Sequence, residues 1–216
     1  MELFINSSIL NYHFGNYHFG FKFNLKNTTM KNNLLYFSAK KETLKMWWLR
    51  LRLNLLPAYF RTGGKITYIS PEMNEIHVKF PAKWHTKGFG GILQGNTIYG
   101  AAEPIYSMIL HQLLGKDYVI FNRKSEITYK KPAKTEVFAK FCLNLTTFVK
   151  IKNMVNRRQE YDFSFSVKIQ DEWEETYAEI QQDIYIARRD FYDIKQEMRQ
   201  MENNDLNFKF PTQDLV

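Results

Sequence analysis

The chain has 216 residues, of which 44% are hydrophobic and 24% are charged, so it is long enough to bury a core and too apolar for wholesale disorder. Its single cysteine, Cys142, excludes an internal disulfide framework and fits a reducing compartment. No apolar run approaches the ~20 residues that a membrane-spanning helix needs. The formal net charge of +8 predicts an affinity for anions, but the basic residues are scattered rather than gathered into the dense stripe of a nucleic-acid binder.

The first part of the chain, residues 1–42, differs from the rest. The pentapeptide Asn11–Gly15 is repeated at once as Asn16–Gly20, and two copies are too few for a repeat fold. The segment also lacks the basic start and the apolar run of a signal peptide. We expect a disordered extension here, or upstream sequence that precedes a true start at Met30 or Met46. His13 and His18 of the repeat would make only a weak, non-specific metal site, and we predict no metal or cofactor.

A helix is predicted after Thr43, because apolar residues recur at helical spacing from Met46 to Leu56 and Pro57 then ends the segment. It contains two tryptophans, at positions 47 and 48, with arginines close by. A helix this short commonly covers one side of a core. We favour that interpretation over a helix that lies in a membrane interface.

Two strands follow this helix. Residues 65–70 are rich in β-branched and aromatic side chains, and residues 71–74 turn the chain. Residues 76–80 alternate between apolar and polar side chains, which is typical of a half-buried strand. We therefore expect His77 on the outer, solvated face of that strand.

A glycine-rich loop, residues 88–95, leads into the longest helical pattern of the chain. Asn96 and Thr97 are suitable N-caps, and Gly115 is a natural end. Between them, isoleucine, leucine and alanine side chains mark one broad face. A helix with so wide an apolar surface must be covered on several sides.

The remainder is mostly strand, with a short helix around residues 148–155. The predicted strands and the terminal helix are residues 118–129, 135–143, 162–169, 178–188 and 190–201. Long alternating strands form an antiparallel sheet with one solvated face, and the long helix is the only element large enough to cover the other. The pattern predicts one α+β domain over residues 43–190. Residues 191–216 are expected to form the terminal helix and a mobile tail.

Several familiar catalytic motifs are absent from the sequence: the serine nucleophile elbow, the His-Glu-x-x-His helix and the Cys-x-x-Cys pair. Cys142 lies in a strand pattern, and we expect a buried structural thiol. Residues 90–97 fit the spacing of a phosphate-binding P-loop, but Asn96 replaces the lysine that nucleotide hydrolysis needs. What remains is a glycine loop that runs into a helix start, where backbone N–H groups and the helix dipole favour negative charge.

Glu103 is the one acid of the long helix. It stands two turns from the helix start, between Ala102 and Pro104. A carboxylate on an apolar helix is costly unless it is paired, solvated or functional. From the residues alone, a functional carboxylate and one that merely faces a wet cleft are equally good interpretations.

Five segments resemble a bacterial branch of the hotdog thioesterase superfamily, which is catalogued mainly as a domain of unknown function and is related to the phenylacetic-acid type of acyl-CoA thioesterases. They are Asn54–Tyr59, Gly95–Asn96, Ala101–Tyr106, Lys116–Val119 and Glu126–Pro132. The resemblance covers about residues 47–188. It implies a hotdog fold, in which a curved antiparallel sheet wraps one long central helix.

The resemblance also implies a site. In active relatives a glycine at the helix start donates its N–H to the thioester carbonyl, and an acid eight residues later acts as general base or nucleophile. Gly95 and Glu103 match that spacing, and in relatives the two groups come from different subunits of a dimer. Gln94 and Asn96 flank the glycine and are candidates for substrate binding. The candidates for binding coenzyme A phosphates are Lys124, Lys130, Lys131 and Lys134.

The sequence departs from its relatives at three positions. Gln94–Asn96 replaces a His-Gly-Gly segment, and Glu103 replaces an aspartate. Gly88 stands where relatives have a water-positioning asparagine, for which Gln94 or His85 could substitute.

The resemblance implies hydrolysis of an acyl-CoA or of an acyl carrier thioester, in the cytoplasm, by a homodimer or a dimer of dimers. A non-catalytic hotdog protein that binds acyl groups or an acyl carrier protein is the alternative. A basic binder of nucleic acid or of a membrane surface is a third, less favoured interpretation. We expect no nucleic-acid partner and no membrane span.

Overall fold

The computed structural model describes residues 42–209. The elements in chain order are helices α1 (Leu44–Leu55) and α2 (Pro57–Phe60), strands β1 (Lys65–Ile69) and β2 (Glu75–Phe80), helix α3 (Gly95–Leu114), strands β3 (Tyr118–Tyr129) and β4 (Val137–Cys142), helix α4 (Leu145–Arg158), strands β5 (Glu160–Gln170) and β6 (Thr176–Arg188), and helix α5 (Arg189–Lys209). A short 3-10 turn, Phe89–Gly91, precedes α3. The predictions for the N-terminal extension, with His13 and His18, and for the C-terminal tail fall outside the described residues.

The six strands form one antiparallel sheet in the order β1-β2-β4-β5-β6-β3. Strands β5 and β6 pair as a long hairpin, from Glu160 opposite Ala187 to Gln170 opposite Thr176. Strand β3 pairs with β6 along its whole length and forms one edge of the sheet. The predicted order of two strands, one long helix and four strands is confirmed, as is the α+β hotdog architecture.

Helix α3 fills the inner face of the curved sheet. Ile98, Ile105 and Ile109 of this helix are buried, and the alternating side chains of the strands close around them. The facing strand residues in the same core include Ile120, Phe141, Phe165, Ile180 and Ile184. Fully burying each such side chain stabilises the fold by about 1.5–3 kcal/mol. The broad apolar face of α3 is therefore covered on several sides, as its sequence predicts.

Helix α1 covers the free edge of β1. The side-chain amide of Asn54 accepts a hydrogen bond from the Ile66 N–H at 2.8 Å and donates one to the Ile66 carbonyl at 2.9 Å. The Glu42 carboxylate accepts a further bond from the Ile69 N–H at 3.2 Å. These contacts satisfy edge groups that would otherwise be free to pair with another strand. Helix α1 thus shields the edge of β1.

Helices α4 and α5 lie at the end of the β5–β6 hairpin. Asn144 caps the start of α4, because its side chain accepts a hydrogen bond from the Thr147 N–H at 2.7 Å. Gln159 ends the helix in the left-handed conformation. The helix predicted at residues 148–155 thus exists and is longer than its apolar spacing indicates.

Two predictions about single side chains are wrong. His77 is 2% exposed rather than solvated. Its Nε2 lies 2.7 Å from a Glu75 carboxylate oxygen, and its ring lies 5.0 Å from that of Tyr68 on the neighbouring strand. Cys142 is exposed rather than buried. It ends β4, in which the alternating residues up to Phe141 point into the core, so residue 142 points outward.

The start of α3 also differs from the prediction. The helix begins at Gly95 with Gln94 in the N-cap position, and neither Asn96 nor Thr97 caps it. The end at Gly115 is confirmed, since this glycine has a φ of 86° and donates its N–H to the His111 carbonyl.

Candidate active site

The Glu103 carboxylate is held by a side chain of β3. The Asn122 amide donates a hydrogen bond to Glu103 Oε1 at 2.8 Å and another to Ser125 Oγ at 2.7 Å. Glu103 itself is half-buried. The carboxylate is thus neither deeply buried nor free to turn, which suits a group that acts on a ligand from a fixed direction.

A β-bulge makes this arrangement possible. In a regular strand, residues three apart face opposite sides of the sheet. The pairing of β3 with β6 shifts register between Asn122 and Lys124, so one extra residue, Arg123, is accommodated there. Asn122 lies opposite Ile184 and Ser125 lies opposite Gln182, and both therefore point to the inner face, toward α3.

A second amide supports the same turn of helix. Gln182, which is 1% exposed, donates a hydrogen bond from Nε2 to the Glu103 main-chain carbonyl at 2.9 Å. The amide oxygens of these two side chains, Asn122 Oδ1 and Gln182 Oε1, are buried and have no hydrogen-bond partner among the described residues. Two such oxygens near a carboxylate suit a ligand that donates hydrogen bonds, such as a water molecule or an N–H group.

The start of α3 lies against Tyr129, the last residue of β3. A side chain at position 95 would clash with the Tyr129 hydroxyl and would come within 2.9 Å of its Cζ atom, so only glycine fits. Burial raises the pKa of Tyr129, and its hydroxyl therefore remains a hydrogen-bond donor at neutral pH. Both residues line a cleft of about 420 Å³, together with Lys130, Lys131 and Tyr177.

The other side of the helix start opens into a larger cleft of about 890 Å³. Gln94, Asn96 and His85 line it, opposite apolar side chains of α1 and α2. The Gln94 side chain lies over Gly88, where a Cβ atom would be 3.3 Å from Gln94 Cγ. Gln94 rather than His85 therefore occupies the space beside Gly88, the position of the missing asparagine.

The four candidate lysines do not gather at one place. Lys130 donates to Glu179 at 3.1 Å, and Lys131 forms an ion pair with Glu175. Lys124 is exposed, with Glu126 3.4 Å away. Lys134 lines a separate cleft of about 660 Å³ that holds four further lysines. Only Lys130 and Lys131 border the same cleft as Gly95.

Gly95 and Glu103 of one chain are too far apart to act on one atom. Eight residues of α-helix span about 12 Å, and neither cleft at the helix start is lined by Glu103. A single copy therefore presents two separate half-sites on α3.

The sequence matches one family model over residues 47–186, that of the Domain of unknown function DUF4442. The match covers well over half of the chain. This chain belongs to the DUF4442 family. No curated protein matches it.

Solved structures similar to this DUF4442 chain share its fold at low sequence identity. The Pseudomonas aeruginosa protein PA5026, a "probable thioesterase", is 14% identical with a TM-score of 0.58, over 66% of this chain and 95% of that protein. The Haemophilus influenzae thioesterase HI1161 is 18% identical with a TM-score of 0.50, over 69% and 93%. A Chlorobaculum tepidum protein of unknown function is 12% identical with a TM-score of 0.54, over 66% and 94%. These likenesses establish the hotdog fold.

Sequence reasoning on this DUF4442 chain missed four side chains that surround the half-sites. They are Asn122, Ser125, Tyr129 and Gln182. A signal for one of them was present, because Gln182 interrupts a strand in which Ile180 and Ile184 mark the buried positions. Nothing in the spacing indicated the bulge that brings Asn122 and Ser125 onto one face.

Neither a metal cluster nor a membrane-crossing helix is found in the part of the chain that the structure describes. Within residues 42–209, no three histidine, cysteine, aspartate or glutamate side chains lie close enough to hold a metal ion. The helices of that range are too short or too polar to cross a membrane.

Proposed function

We propose that this DUF4442 protein hydrolyses acyl thioesters, with acyl-CoA as the substrate class. The observation that carries the proposal is Glu103, a carboxylate fixed by the Asn122 amide at 2.8 Å on a helix that starts at a glycine. The hotdog fold shared with thioesterases of known structure supports it. The part of the chain that the structure describes holds no cluster of metal-binding side chains, and the sequence has no serine nucleophile elbow, His-Glu-x-x-His or Cys-x-x-Cys motif.

The chemistry needs one base and one oxyanion site. Glu103 takes a proton from water as the water oxygen bonds to the thioester carbonyl carbon. The N–H of Gly95, at the positive end of the α3 dipole, stabilises the negative charge that develops on the carbonyl oxygen. The carbon–sulfur bond then breaks, and the proton held by Glu103 passes to the leaving thiolate. The products are a carboxylic acid and a thiol.

The two half-sites belong to different copies of the chain in this proposal. Gly95 and Glu103 lie about 12 Å apart on one helix, whereas a base and an oxyanion donor must both lie within a few ångströms of one carbonyl. A two-fold dimer would place the helix start of one copy beside Glu103 of the other. Strand β3, an edge strand that carries Asn122 and Tyr129, would lie near that interface.

Substrate contacts are proposed on both sides of the helix start. Lys130 and Lys131 border the Gly95 cleft and would exchange their carboxylate partners for coenzyme A phosphates. On the other side, Gln94 and Asn96 present polar side chains to the larger cleft. Lys124 and Lys134 line neither of these two clefts, so we do not propose them as phosphate ligands.

The first prediction tests the base. Glu103→Gln keeps the size of the side chain but cannot accept a proton, so turnover of acyl-CoA should fall by roughly 100- to 10,000-fold, as is typical for loss of a general base. Glu103→Asp should retain part of the activity, since the carboxylate remains. Steady-state kinetics on a panel of acyl-CoA chain lengths measures both. Equal turnover by wild type and Glu103→Gln would contradict the mechanism.

The second candidate function is binding of acyl thioesters without hydrolysis. It is favoured by Gly88, which lacks the side chain that positions water in relatives, and by the Tyr129 hydroxyl, which lies against Gly95. Saturable binding of an acyl-CoA by calorimetry, with no hydrolysis across the panel, would establish this alternative.

A further inference from the structure

A surface outside the two half-sites exposes many large apolar side chains. We call it the aromatic face, and it consists of α1, α2 and the loop at residues 81–91. Its exposed apolar side chains are Leu44, Trp47, Trp48, Leu55, Leu56, Phe60, Trp84 and Phe89. Trp84 is 89% exposed. Scattered single apolar residues are ordinary on a surface, but a patch of this size indicates an interaction site.

The helices and the loop of the aromatic face meet at one cleft. Trp47 and Phe60 from the helices and His85 from the loop line the same cavity of about 890 Å³. The ring of Trp84 packs edge-on against His85, with 5.4 Å between the ring centroids. Trp47, Leu55, Phe60 and Trp84 therefore lie around one cleft.

Cations surround the aromatic face, and acidic side chains are almost absent from it. Between positions 43 and 102 the sequence has two acidic residues, Glu72 and Glu75, and eight basic residues: Lys45, Arg50, Arg52, Arg61, Lys65, Lys79, Lys83 and Lys87. Glu75 is buried. Glu72 lies on the β1–β2 turn, at the opposite end of those strands from Lys65. The charge near the aromatic face is thus positive even after Glu42 and Glu136, which lie outside that range of sequence, each neutralise one cation.

Most of these cations are not neutralised. Arg50 pairs with Glu42 and Lys79 pairs with Glu136. The other six form no ion pair with any residue in the described range 42–209. Lys65 and Lys83 line both the apolar cleft and a neighbouring lysine-rich cleft of about 660 Å³, so free positive charge adjoins the exposed rings.

We propose that the aromatic face docks on the surface of an anionic lipid bilayer. Tryptophan and phenylalanine favour the boundary between headgroups and acyl chains, and unpaired lysine and arginine are attracted to anionic headgroups. Leu55 and Leu56 would enter the apolar layer. A nucleic acid would engage the cations and could stack on the rings, but it would leave these leucines in water. The bilayer matches both the charge and the apolar surface.

Docking in this way orients the helix start of α3. Gln94 and Asn96 line the same cleft as Trp47, so the cleft would open toward the lipid. On the proposed thioesterase function, this orientation turns the Gln94 and Asn96 side of the helix start toward the bilayer. Because vesicle binding requires no hydrolysis, an experiment can reject the docking proposal without rejecting the thioesterase proposal, and the reverse.

Flotation of the full chain with lipid vesicles tests the docking. The protein should float with vesicles that contain phosphatidylcholine and phosphatidylglycerol. It should remain at the bottom of the gradient with vesicles of phosphatidylcholine alone. Binding should weaken steeply as salt rises. Lys83→Glu should weaken it by at least roughly fivefold, as expected for loss of one cation near an anionic surface, whereas Lys152→Glu on α4 should change it less. Equal binding to both vesicle types, or none to either, overturns the proposal.

The tryptophans provide a second readout. Three of the four tryptophans of the chain, Trp47, Trp48 and Trp84, lie on the aromatic face, and Trp173 lies on the β5–β6 turn among acidic residues. In the Trp173→Ala protein, anionic vesicles should shift tryptophan emission to shorter wavelength, and brominated lipids should quench it. No shift and no quenching would contradict the proposal.

Matched variants distinguish lipid docking from binding of a second copy of the chain or of DNA at the aromatic face. Trp84→Ala combined with Phe89→Ala should reduce vesicle binding by about tenfold or more, while Trp173→Ala, at a site 57% exposed, should leave it unchanged. If the double variant instead changes only the sedimenting mass, the aromatic face binds a second copy of the chain and the proposal fails. Capture of duplex DNA in place of vesicles would overturn it in the same way.

Discussion

Asn122 shows how the local backbone determines the chemistry of a single residue. Asn122 points to the inner face by ordinary alternation from Ile120, and its amide reaches Glu103 there. The bulge at Arg123 brings Ser125 onto the same face. Glu103 could be recognised in the sequence because a lone acid stood on an apolar helix. Asn122 could not be recognised as part of the site, because a polar residue on a strand is equally compatible with the solvated face.

Asn122 is expected to act as a positioning residue for Glu103. Asn122→Ala removes the hydrogen bond to the carboxylate, so kcat should fall by about 10- to 100-fold through misplacement of the base. KM should change little, because Asn122 borders neither cleft at the helix start. Asn156→Ala on the exposed side of α4 is the control. Steady-state kinetics with unchanged kcat in Asn122→Ala would show that Glu103 is positioned by other contacts.

Gly95 and Tyr129 are expected to be energetically coupled. Gly95→Ala brings a methyl group against the tyrosine ring and should lower the free energy of unfolding by about 1–3 kcal/mol, as overpacking typically does. In a Tyr129→Ala background the same change should cost much less. Chemical denaturation of the two single variants and the double variant measures the coupling. Additive losses would mean that Tyr129 moves aside at no cost.

At the scale of elements, periodicity together with β-branched and aromatic composition and turn residues located all six strands and the long helices. Strand β3 was predicted with its observed limits, Tyr118–Tyr129. The start of α3 was misplaced, since the Gln94 side chain turns onto Gly88 and no side chain caps the helix. The burial of His77 could not be foreseen, because the contact with the Tyr68 ring depends on the register between β1 and β2.

Helix α5 is held to the sheet by a charged contact that pH should control. Lys195 Nζ lies 2.6 Å from both carboxylate oxygens of Glu160. Hydrogen bonds from Lys195 and from Tyr185 hold the pKa of Glu160 below its usual range. A lowered folded-state pKa means that this stabilisation is fully present above the ordinary carboxyl pKa and is lost as pH falls through the lowered value.

Glu160→Gln should therefore loosen α5 at neutral pH. Its amides should exchange hydrogen faster than in wild type, while those of α3 keep their protection. Glu197→Gln, an exposed acid on the same helix, is the matched control. The difference in Tm between wild type and Glu160→Gln should shrink as pH falls through the pKa of Glu160. A difference that persists at low pH would assign the effect to packing rather than to charge.

At the scale of the whole molecule, the sequence predicted the hotdog fold, and the resemblance placed the two proposed half-sites eight residues apart on one helix. Spacing along a helix reports which residues share a face, and it does not report which atoms meet at a substrate. The distance of about 12 Å between Gly95 and Glu103 is the reason that the proposed mechanism uses a second copy of the chain. A dimer is accordingly part of the proposed mechanism, and sedimentation at micromolar concentration should show a species of at least twice 25.9 kDa.

Mixed dimers test most directly the central claim that the helix start of one copy and Glu103 of another form one site. One differently tagged subunit carries Gly95→Val, which fills the cleft beside Tyr129, and the other carries Glu103→Gln. Each homodimer should be inactive while keeping wild-type size and circular dichroism. The purified heterodimer contains one intact site of two and should recover roughly half of the wild-type kcat on acyl-CoA. A heterodimer as inactive as either homodimer would contradict a site shared between copies.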